Sequence, residues 1–441
     1  MDMLPQLDAN TVMDLWIIAV GAMTNAACAL VGCYLVLRRM SLLGDAISHA
    51  VLPGLVVAFV LSGSVNVGFM FVGALAAGVL TAVFTETLHR YGGVAEDASM
   101  GVVFTAMFAV GVILIRRYAH AVELDADCVF SGSLDMITFH QVALAGFEVP
   151  RAMVSIAPVL LVNVAFILLF WKEMLISSFD PGLATTMGFR AGVLRYALMV
   201  LVALTAVASF EQVGSILVVA MLIVPGATAH LLTDRLRGML WIAVLVAVAS
   251  AVLGRWAATR WNVNTAGAMT VAVGGLYGLA ALFSPRYGVV STLARNARTS
   301  LRIVREDVLG MLYRLEELGV PRPMPAGEAA RAVGGGPLAW LALAHLLQRR
   351  EVGRRGRALH LTAAGRGRAR GLIRSHRLWE AYLVEYLGLP LDHVHEPAER
   401  MEHFIGAPLQ SHLATDVAGA EIDPHGRAIP PAGLEGERRR D

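Results

Sequence analysis

The stretch that decides the fold is LRRMSLLGDAISHAVLPGLVVA, residues 37–58. Arg38 and Arg39 end one apolar segment, and a second apolar segment begins almost at once. Within it Asp45 and His49 lie four residues apart, so their side chains share one face of a helix. Ionisable side chains are costly inside apolar segments and usually mark a site, and carboxylate with imidazole suits divalent first-row metals. The stretch predicts a membrane protein that passes a metal ion; the alternative is a structural hydrogen-bonded pair between helices.

Composition separates the chain into two parts. Of its 441 residues, 56% are hydrophobic and 16% are charged, whereas soluble domains carry about 25% charged residues. The charged residues are sparse up to residue 285 and dense afterwards. We therefore expect a membrane domain over residues 1–290, followed by a soluble region.

Apolar segments long enough to cross a bilayer, about 20 residues each, recur through the first part. In two pairs of neighbouring segments, only a few residues separate the two members. One member of such a pair can therefore be a broken helix or a re-entrant segment. We therefore expect an all-α polytopic protein with eight or nine spans. The candidate segments are 12–36, 42–62, 66–88, 98–116, 151–171, 190–210, 213–232, 237–257 and 263–283.

The arginines at the segment ends indicate the orientation of the chain. Cytoplasmic loops carry an excess of Lys and Arg, and the larger set of basic ends includes Arg38, Arg90 and Arg286. This bias places the C-terminal region in the cytoplasm of a multi-pass protein of the cell (inner) membrane.

A cytoplasmic connection is expected at EMLISSFDPGLATTMGF, residues 173–189. A short helix-forming piece follows Asp180 and Pro181, because Asp favours the N-cap and Pro the first helical position. An ordinary polar loop explains the same stretch equally well. The side chains available to pack against a partner are Ala184, Met187 and Gly188.

Three stretches of this part resemble one transporter family. LVGCYLVLRRMSLLGDAISHAVLPGLVVAF (30–59) and VGSILVVAMLIVPGATAHLLTDRL (213–236) are similar to signature stretches of the ABC-transporter permeases for manganese, zinc and iron. FDPGLATTMGF (179–189) resembles the cytoplasmic loop by which these permeases couple to their ATPase. The resemblance covers about residues 12–285.

The resemblance implies a homodimeric or paired permease that receives metal from an extracytoplasmic solute-binding protein. It also implies that Asp45 and His49 line the translocation path. The residues implied to contact the ATPase are Asp180, Pro181, Ala184 and Gly188.

The sequence itself predicts that ATP is hydrolysed by another subunit. A phosphate-binding P-loop needs Gly-Lys followed by Ser or Thr. The single lysine, Lys172, follows Trp171. We therefore expect a transport subunit that is not an enzyme and binds no nucleotide.

The soluble part resembles a second family. HRLWEAYLVEYLGLPLDHVHEPAERMEHF (376–404) is similar to the metal-binding and dimerisation region of the diphtheria toxin repressor and manganese-repressor family. REDVLGMLYRLEE (305–317) resembles its first helix, and DPHGRAIPP (423–431) resembles the segment that ends its dimerisation domain. The expected organisation is a winged-helix-like domain (291–370), a helical metal-binding and dimerisation domain (371–431) and a disordered tail (432–441).

Ligand spacing in this region predicts a metal site without reference to a family. His376 and Glu380 are four residues apart. His395, Glu399, Glu402 and His403 fall at relative positions 0, 4, 7 and 8, which is one face of one helix. Imidazole and carboxylate groups on two neighbouring helices suit a divalent metal ion. A solvated charged face is the alternative, but it explains two helical pairs of histidines poorly.

The family resemblance assigns these residues to two ligand sets. Asp307, His376, Glu399, Glu402 and His403 match ligands of the manganese-responsive members, and Glu380 and His395 match the ancillary site of the iron-responsive members. A carboxylate at position 399, where iron-type members have cysteine, favours Mn²⁺ over Zn²⁺ or Fe²⁺. Gly310 stands where the manganese type has a glutamate ligand.

The helix expected to read DNA lacks the residues for that task. Base contacts need polar or arginine side chains near the helix N-terminus, but GPLAWLALAHLLQ (336–348) offers Leu338, Trp340 and Leu341. The arginines of 349–370 suit phosphate, acidic lipid or an ATPase surface.

We therefore expect the permease of an ATP-driven importer whose fused cytoplasmic domain senses metal and restrains transport. The alternative is a membrane-tethered, metal-dependent transcriptional regulator.

Overall fold

The structure is a computed structural model that describes residues 9–63, 67–118, 134–139, 141–144, 147–319, 324–417 and 420–432. The chain forms two compact units, Met1–Thr292 and Leu293–Asp441. Of the expected tail, residues 433–441 lie outside the described residues.

The first unit is built almost entirely of helices. A short 3₁₀ helix, Leu134–Phe139, and an antiparallel hairpin of β1 (Gln141–Leu144) and β2 (Phe147–Pro150) precede its second half. Its helices are α1 (Ala9–Leu37), α2 (Leu43–Ala50), α3 (Leu52–Ser62), α4 (Val67–Gly92), α5 (Glu96–Tyr118), α6 (Arg151–Leu169), α7 (Trp171–Phe179), α8 (Pro181–Thr186), α9 (Ala191–Val213), α10 (Ser215–Leu232), α11 (Leu236–Trp261) and α12 (Thr265–Phe283).

Eight helical segments in the described part are long and apolar enough to cross a membrane. Each of the nine expected segments forms a helix, but the apolar stretch of α10, residues 217–232, is shorter than the others. The segment 42–62 divides into α2 and α3 at Val51, where Pro53 follows in the first turn of α3. The expectation of eight or nine spans in a multi-pass, largely helical protein is confirmed.

Close helix contacts hold this unit together. A Cβ atom at Gly32 of α1 would overlap the carbonyl oxygen of Leu222 in α10, so only glycine permits this approach. Asn25 of α1 donates to the hydroxyl of Ser250 in α11 at 2.6 Å. Asn163 of α6 donates to the carbonyl of Ala27 at 3.1 Å. These bonds satisfy polar groups that would otherwise be costly in an apolar interior.

Large apolar side chains cover the outside of the unit. Trp241 and Leu245 of α11 and Val271 of α12 are each more than 60% exposed. In a water-soluble protein such a surface would promote association, whereas in a bilayer it contacts lipid.

The second unit begins with three helices and a small sheet. The helices are α13 (Val289–Glu317), α14 (Ala326–Ala332) and α15 (Gly336–Gln348), and α13 starts before the unit boundary. Strands β3 (Met324–Pro325), β4 (Val352–Arg355) and β5 (Ala358–Leu361) form an antiparallel sheet in the order β3-β5-β4. The elements follow one another as a helix, a strand, two helices and a terminal hairpin, which is the order found in winged-helix domains.

The rest of the second unit is helical. It contains α16 (Ala363–Leu387), a 3₁₀ turn (Leu391–His393), α17 (His395–Met401) and α18 (Ala407–Asp416). Thr362 caps α16 by accepting from the Gly365 amide at 3.2 Å. The expected domain boundary at 370/371 falls inside α16, so this helix belongs to both parts.

Candidate metal sites

Asp45 and His49 lie in the first and last turns of α2. The Nε2 atom of His49 is 3.6 Å from the Oδ1 atom of Asp45, and about half of each side chain is exposed in the single chain. The His49 ring packs near the rings of Phe104 and Phe108 on α5, with centroids 5.9 and 6.1 Å away. The pair therefore presents a carboxylate and an imidazole together on an accessible face.

The segment from Asp180 to Gly188 forms the short helix α8. Asp180 caps it by accepting from the Leu183 amide at 2.9 Å, and Pro181 occupies its first turn. The expectation that Ala184 is available to a partner is wrong, because Ala184 is completely buried. The capped turn directs this small side chain inward, while Leu183 and Met187 are more than half exposed.

The first group of candidate ligands in the second unit comprises His376, Glu380 and His395. The Nε2 atom of His376 lies 3.1 Å from Glu380 Oε1 and 3.2 Å from His395 Nδ1. Glu380 Oε1 is also 2.9 Å from His395 Nδ1. The first two residues are buried on α16, one turn apart, and the third begins α17 at the surface.

The second group comprises Asp307, Glu402 and His403. The Nε2 atom of His403 is 3.2 Å from Asp307 Oδ1 and 4.0 Å from Glu402 Oε1. Its other ring nitrogen, Nδ1, is 2.8 Å from Glu306 Oε2. Carboxylates thus face both sides of one buried imidazole.

The two groups are joined directly, because His376 Nδ1 lies 2.6 Å from Glu402 Oε2. Burial alone would lower the pKa of His376, but the carboxylates of Glu380 and Glu402 outweigh it and raise that pKa. Burial would also lower the pKa of His403, but the carboxylates of Asp307 and Glu306 outweigh it and raise that pKa to about 9. Burial would raise the pKa of Glu380, yet the histidines hold it at about 2. These pKa shifts show that the imidazoles and carboxylates of the two groups stabilise one another's charged forms.

The prediction that His395, Glu399, Glu402 and His403 share one face of one helix is wrong. Helix α17 ends at Met401, and the amide of Phe404 bonds to the Met401 carbonyl in a tighter turn. Residues seven or eight positions apart lie two turns, about 10 Å, apart along a helix, so Glu402 and His403 belong to a different group from His395. Glu399 is exposed and belongs to neither group.

Two charged partners in this region were not predicted. Glu306 adjoins Asp307 in α13 and faces His403. The only indication of this in the sequence is that Glu306 stands next to the predicted ligand Asp307. His425 Nδ1 lies 3.5 Å from Glu380 Oε2 beside the first group. In the sequence this histidine belongs to DPHGRAIPP, the segment that resembles the end of the dimerisation domain.

Packing around Gly310 leaves little room for a longer side chain. A Cβ atom at Gly310 would lie 3.3 Å from the side chain of Leu372 on α16. The glutamate that the manganese-type pattern expects at this position would therefore need repacking. The remaining imidazoles and carboxylates fit a divalent metal ion in both donor type and mutual distance.

Comparisons with family models match the two parts separately. The model described as ABC 3 transport family matches residues 11–284. The model described as iron dependent repressor, metal binding and dimerisation domain matches residues 362–431.

Known proteins show the same likeness in the first part. The chain is 46% identical over 283 residues to the manganese transport system membrane protein of Bacillus subtilis, covering 64% of this chain and 96% of the relative. It is 41% identical to the zinc transport system membrane protein of Treponema pallidum, covering 63% and 76%. The solved structure of PsaBC from Streptococcus pneumoniae in complex with Fab matches 62% of this chain and 92% of its own, with 29% identity and a TM-score of 0.52.

Proposed function

The chain belongs to the ABC 3 transport family through residues 11–284, and from this we propose that it is the membrane subunit of an ATP-driven importer of a divalent metal ion. Both resemblances seen in the sequence are confirmed, since the C-terminal part matches the repressor metal-binding domain. Mn²⁺ is the favoured cargo, with Zn²⁺ and Fe²⁺ as alternatives.

The observation that carries this proposal is the accessible pair Asp45 and His49. Their side chains lie together on one turn of α2 in an apolar unit, where ionisable residues usually serve a pathway. A carboxylate and an imidazole offer two ligand atoms, too few to hold an ion tightly. The pair therefore suits a cargo ion in transit better than a stored one.

Energy for transport comes from a separate ATPase subunit that contacts the segment around α8. The exposed side chains Leu183 and Met187 supply the apolar surface, while Asp180, Pro181 and Gly188 set its shape. Metal arrives from an extracytoplasmic solute-binding protein, and two permease subunits, identical or paired, form the path.

The C-terminal unit lies in the cytoplasm and senses the transported metal. His376, Glu380 and His395 form one site, and Asp307, Glu402 and His403 form the other, with Glu399 exposed beside them. Bound metal would supply positive charge among the carboxylates that now raise the pKa values of His376 and His403. A ligand changes an equilibrium only by binding two states differently, so metal must favour a conformation that slows the permease.

A regulatory output on transport fits the structure better than one on transcription. At the start of α15, where base contacts are made in winged helices, the structure presents exposed Trp340 and Leu341. Leu341 offers no hydrogen bond to a base edge, and Trp340 offers only its indole N–H.

Metal uptake by the reconstituted transporter tests the path. Asp45→Ala and His49→Ala should each abolish ATP-dependent uptake of Mn²⁺, with Zn²⁺ and Fe²⁺ measured in parallel. Thr87→Ala, which removes an exposed hydroxyl bonded within its own helix, should transport normally. Normal uptake by both pair variants would reject the assignment.

A further inference from the structure

Helix α15 exposes an apolar face that the metal-sensing role does not use. Ala339, Leu343 and Leu346 point into the core of the second unit. On the opposite face Trp340 and Leu341 are 53% and 59% exposed, and Leu347 is exposed about two turns further on. A large aromatic and two leucines on one solvent-facing surface indicate a partner.

Exposed arginines lie on the hairpin that adjoins α15. Helix α15 packs against β4, and the hairpin of β4 and β5 carries exposed Arg354, Arg355 and Arg357. Trp340, Leu341, Leu347 and these three arginines together are called the α15–wing surface below. It combines an apolar centre with a positive border.

Acidic side chains do not neutralise this border. Between residues 336 and 360 the sequence has one acidic residue, Glu351. Glu351 is buried and pairs with Arg305 and Arg368 instead. Within residues 336–360 the exposed charged side chains of α15 and the hairpin are therefore arginines.

The position of the surface in the chain identifies its occupant. The last candidate span ends at Phe283, and α13 begins at Val289, so five residues separate the span from the helix that leads into the second unit. Such a short link keeps the unit at high effective concentration near the bilayer. Apolar side chains bordered by arginine bind the interface of anionic membranes.

We propose that the α15–wing surface binds the anionic headgroup surface of the membrane that holds the protein's own spans. Trp340 and Leu341 enter the boundary between headgroups and acyl chains, and the hairpin arginines contact lipid phosphates. The inference rests on the proposed function only in taking that surface as cytoplasmic; it does not depend on the cargo or on metal sensing.

Hydrogen–deuterium exchange of the full chain in nanodiscs tests this. Exchange over residues 336–357 should be at least about fivefold slower in phosphatidylcholine with phosphatidylglycerol than in phosphatidylcholine alone. The double change Arg354→Glu with Arg355→Glu should remove the difference, as should high salt. Trp340→Ser should reduce it, whereas Arg400→Glu, the same charge change on α17, should not.

Three results would overturn the proposal. One is equal exchange in the two lipids. Another is protection by a random DNA duplex in neutral nanodiscs, which would assign the surface to nucleic acid. The third is protection only after the ATPase subunit is added. Lost uptake in Asp45→Ala with lipid protection intact would confirm both this proposal and the proposed path. Normal uptake by the Asp45 and His49 variants with the protection intact would reject the path alone.

Discussion

His376 Nδ1 lies 2.6 Å from Glu402 Oε2, and this contact joins two groups of candidate metal ligands that would otherwise be separate sites. His376 faces the first group through its other ring nitrogen, which is 3.1 Å from Glu380. If each group binds an ion, that ion changes the charge environment of this contact, which has one residue in each group. We therefore predict that the two groups bind metal in a coupled way, and such a coupling acts in both directions.

Glu402→Gln should weaken metal binding in both groups. The substitution removes a ligand of the second group and the charge that orients His376 in the first. Partners that orient a ligand contribute about 10- to 100-fold in affinity, so the loss should reach at least that range for Mn²⁺ in equilibrium dialysis. Glu396→Gln, on the exposed side of α17, is the matched control and should bind normally. Loss confined to one group would show that the sites are independent.

Metal affinity should rise with pH. Since carboxylates raise the pKa of His403 to about 9, metal must displace its proton at neutral pH. The affinity of the full chain should therefore increase between pH 6 and 9 by up to about tenfold per pH unit for each proton displaced. Titrations across this range measure the slope, and His403→Gln should flatten it. An affinity that does not change with pH would contradict the assignment.

Without bound metal, the second unit should become less stable as the pH rises from 6 to 9. A histidine whose pKa is raised on folding makes its full contribution to the stability of the folded state at pH values below its ordinary pKa of 6.5. That contribution disappears as the pH rises through about 9. Pulse proteolysis in urea, monitoring residues 293–441 of the full chain, should show this decline with chelator, and added Mn²⁺ should reverse it. Constant stability with chelator would contradict the prediction.

Gly32→Ala should destabilise the membrane unit. The added Cβ would overlap the carbonyl oxygen of Leu222 and force α1 and α10 apart, an overpacking that costs about 1–3 kcal/mol. A lower midpoint of thermal aggregation in detergent should report it. Gly274→Ala is the control, because a Cβ there meets open space on α12. Equal midpoints for the two variants would argue against the close contact.

Arg377→Met should weaken the second unit through Asp423. The Nε atom of Arg377 lies 3.4 Å from Asp423 Oδ2, and both side chains are buried. The change would leave Asp423 with only the backbone amides of His425 and Arg427 and would also remove the pair with Glu317. Removing one partner of a buried ion pair costs about 3–5 kcal/mol. Arg400→Met breaks an exposed pair with Glu396 and should cost under about 1 kcal/mol. The same proteolysis assay compares them, and similar stability of both variants would contradict this role for Arg377.

Much of the fold could be predicted because membrane spans and amphipathic helices leave periodic signals in sequence. The apolar segments, the paired Asp45 and His49, and the i, i+4 pair of His376 and Glu380 all follow from local spacing. Helix ends are set by the turns that follow them. The predicted helical face therefore ends at Met401, and His395 and Glu402, two turns apart, lie in different groups of ligands.

Contacts distant in sequence could not be predicted from spacing. Glu306 reaches His403 across 97 positions, and the burial of Ala184 depends on the helices around it. His425 lies beside Glu380 because a loop after α18 returns to α16. Such pairs are decided by tertiary packing, which one sequence does not reveal.

The most direct test of the account measures ATP-driven Mn²⁺ uptake while metal on the cytoplasmic side is varied. The intact chain with its ATPase subunit should transport at least about fivefold more slowly when that metal is high than when it is chelated. A chain carrying His376→Ala and Glu402→Gln, with Asp45 and His49 intact, should transport at the same rate in both conditions. Equal inhibition of the two chains, or inhibition of neither, would contradict the claim that this permease is regulated by its own metal-sensing domain.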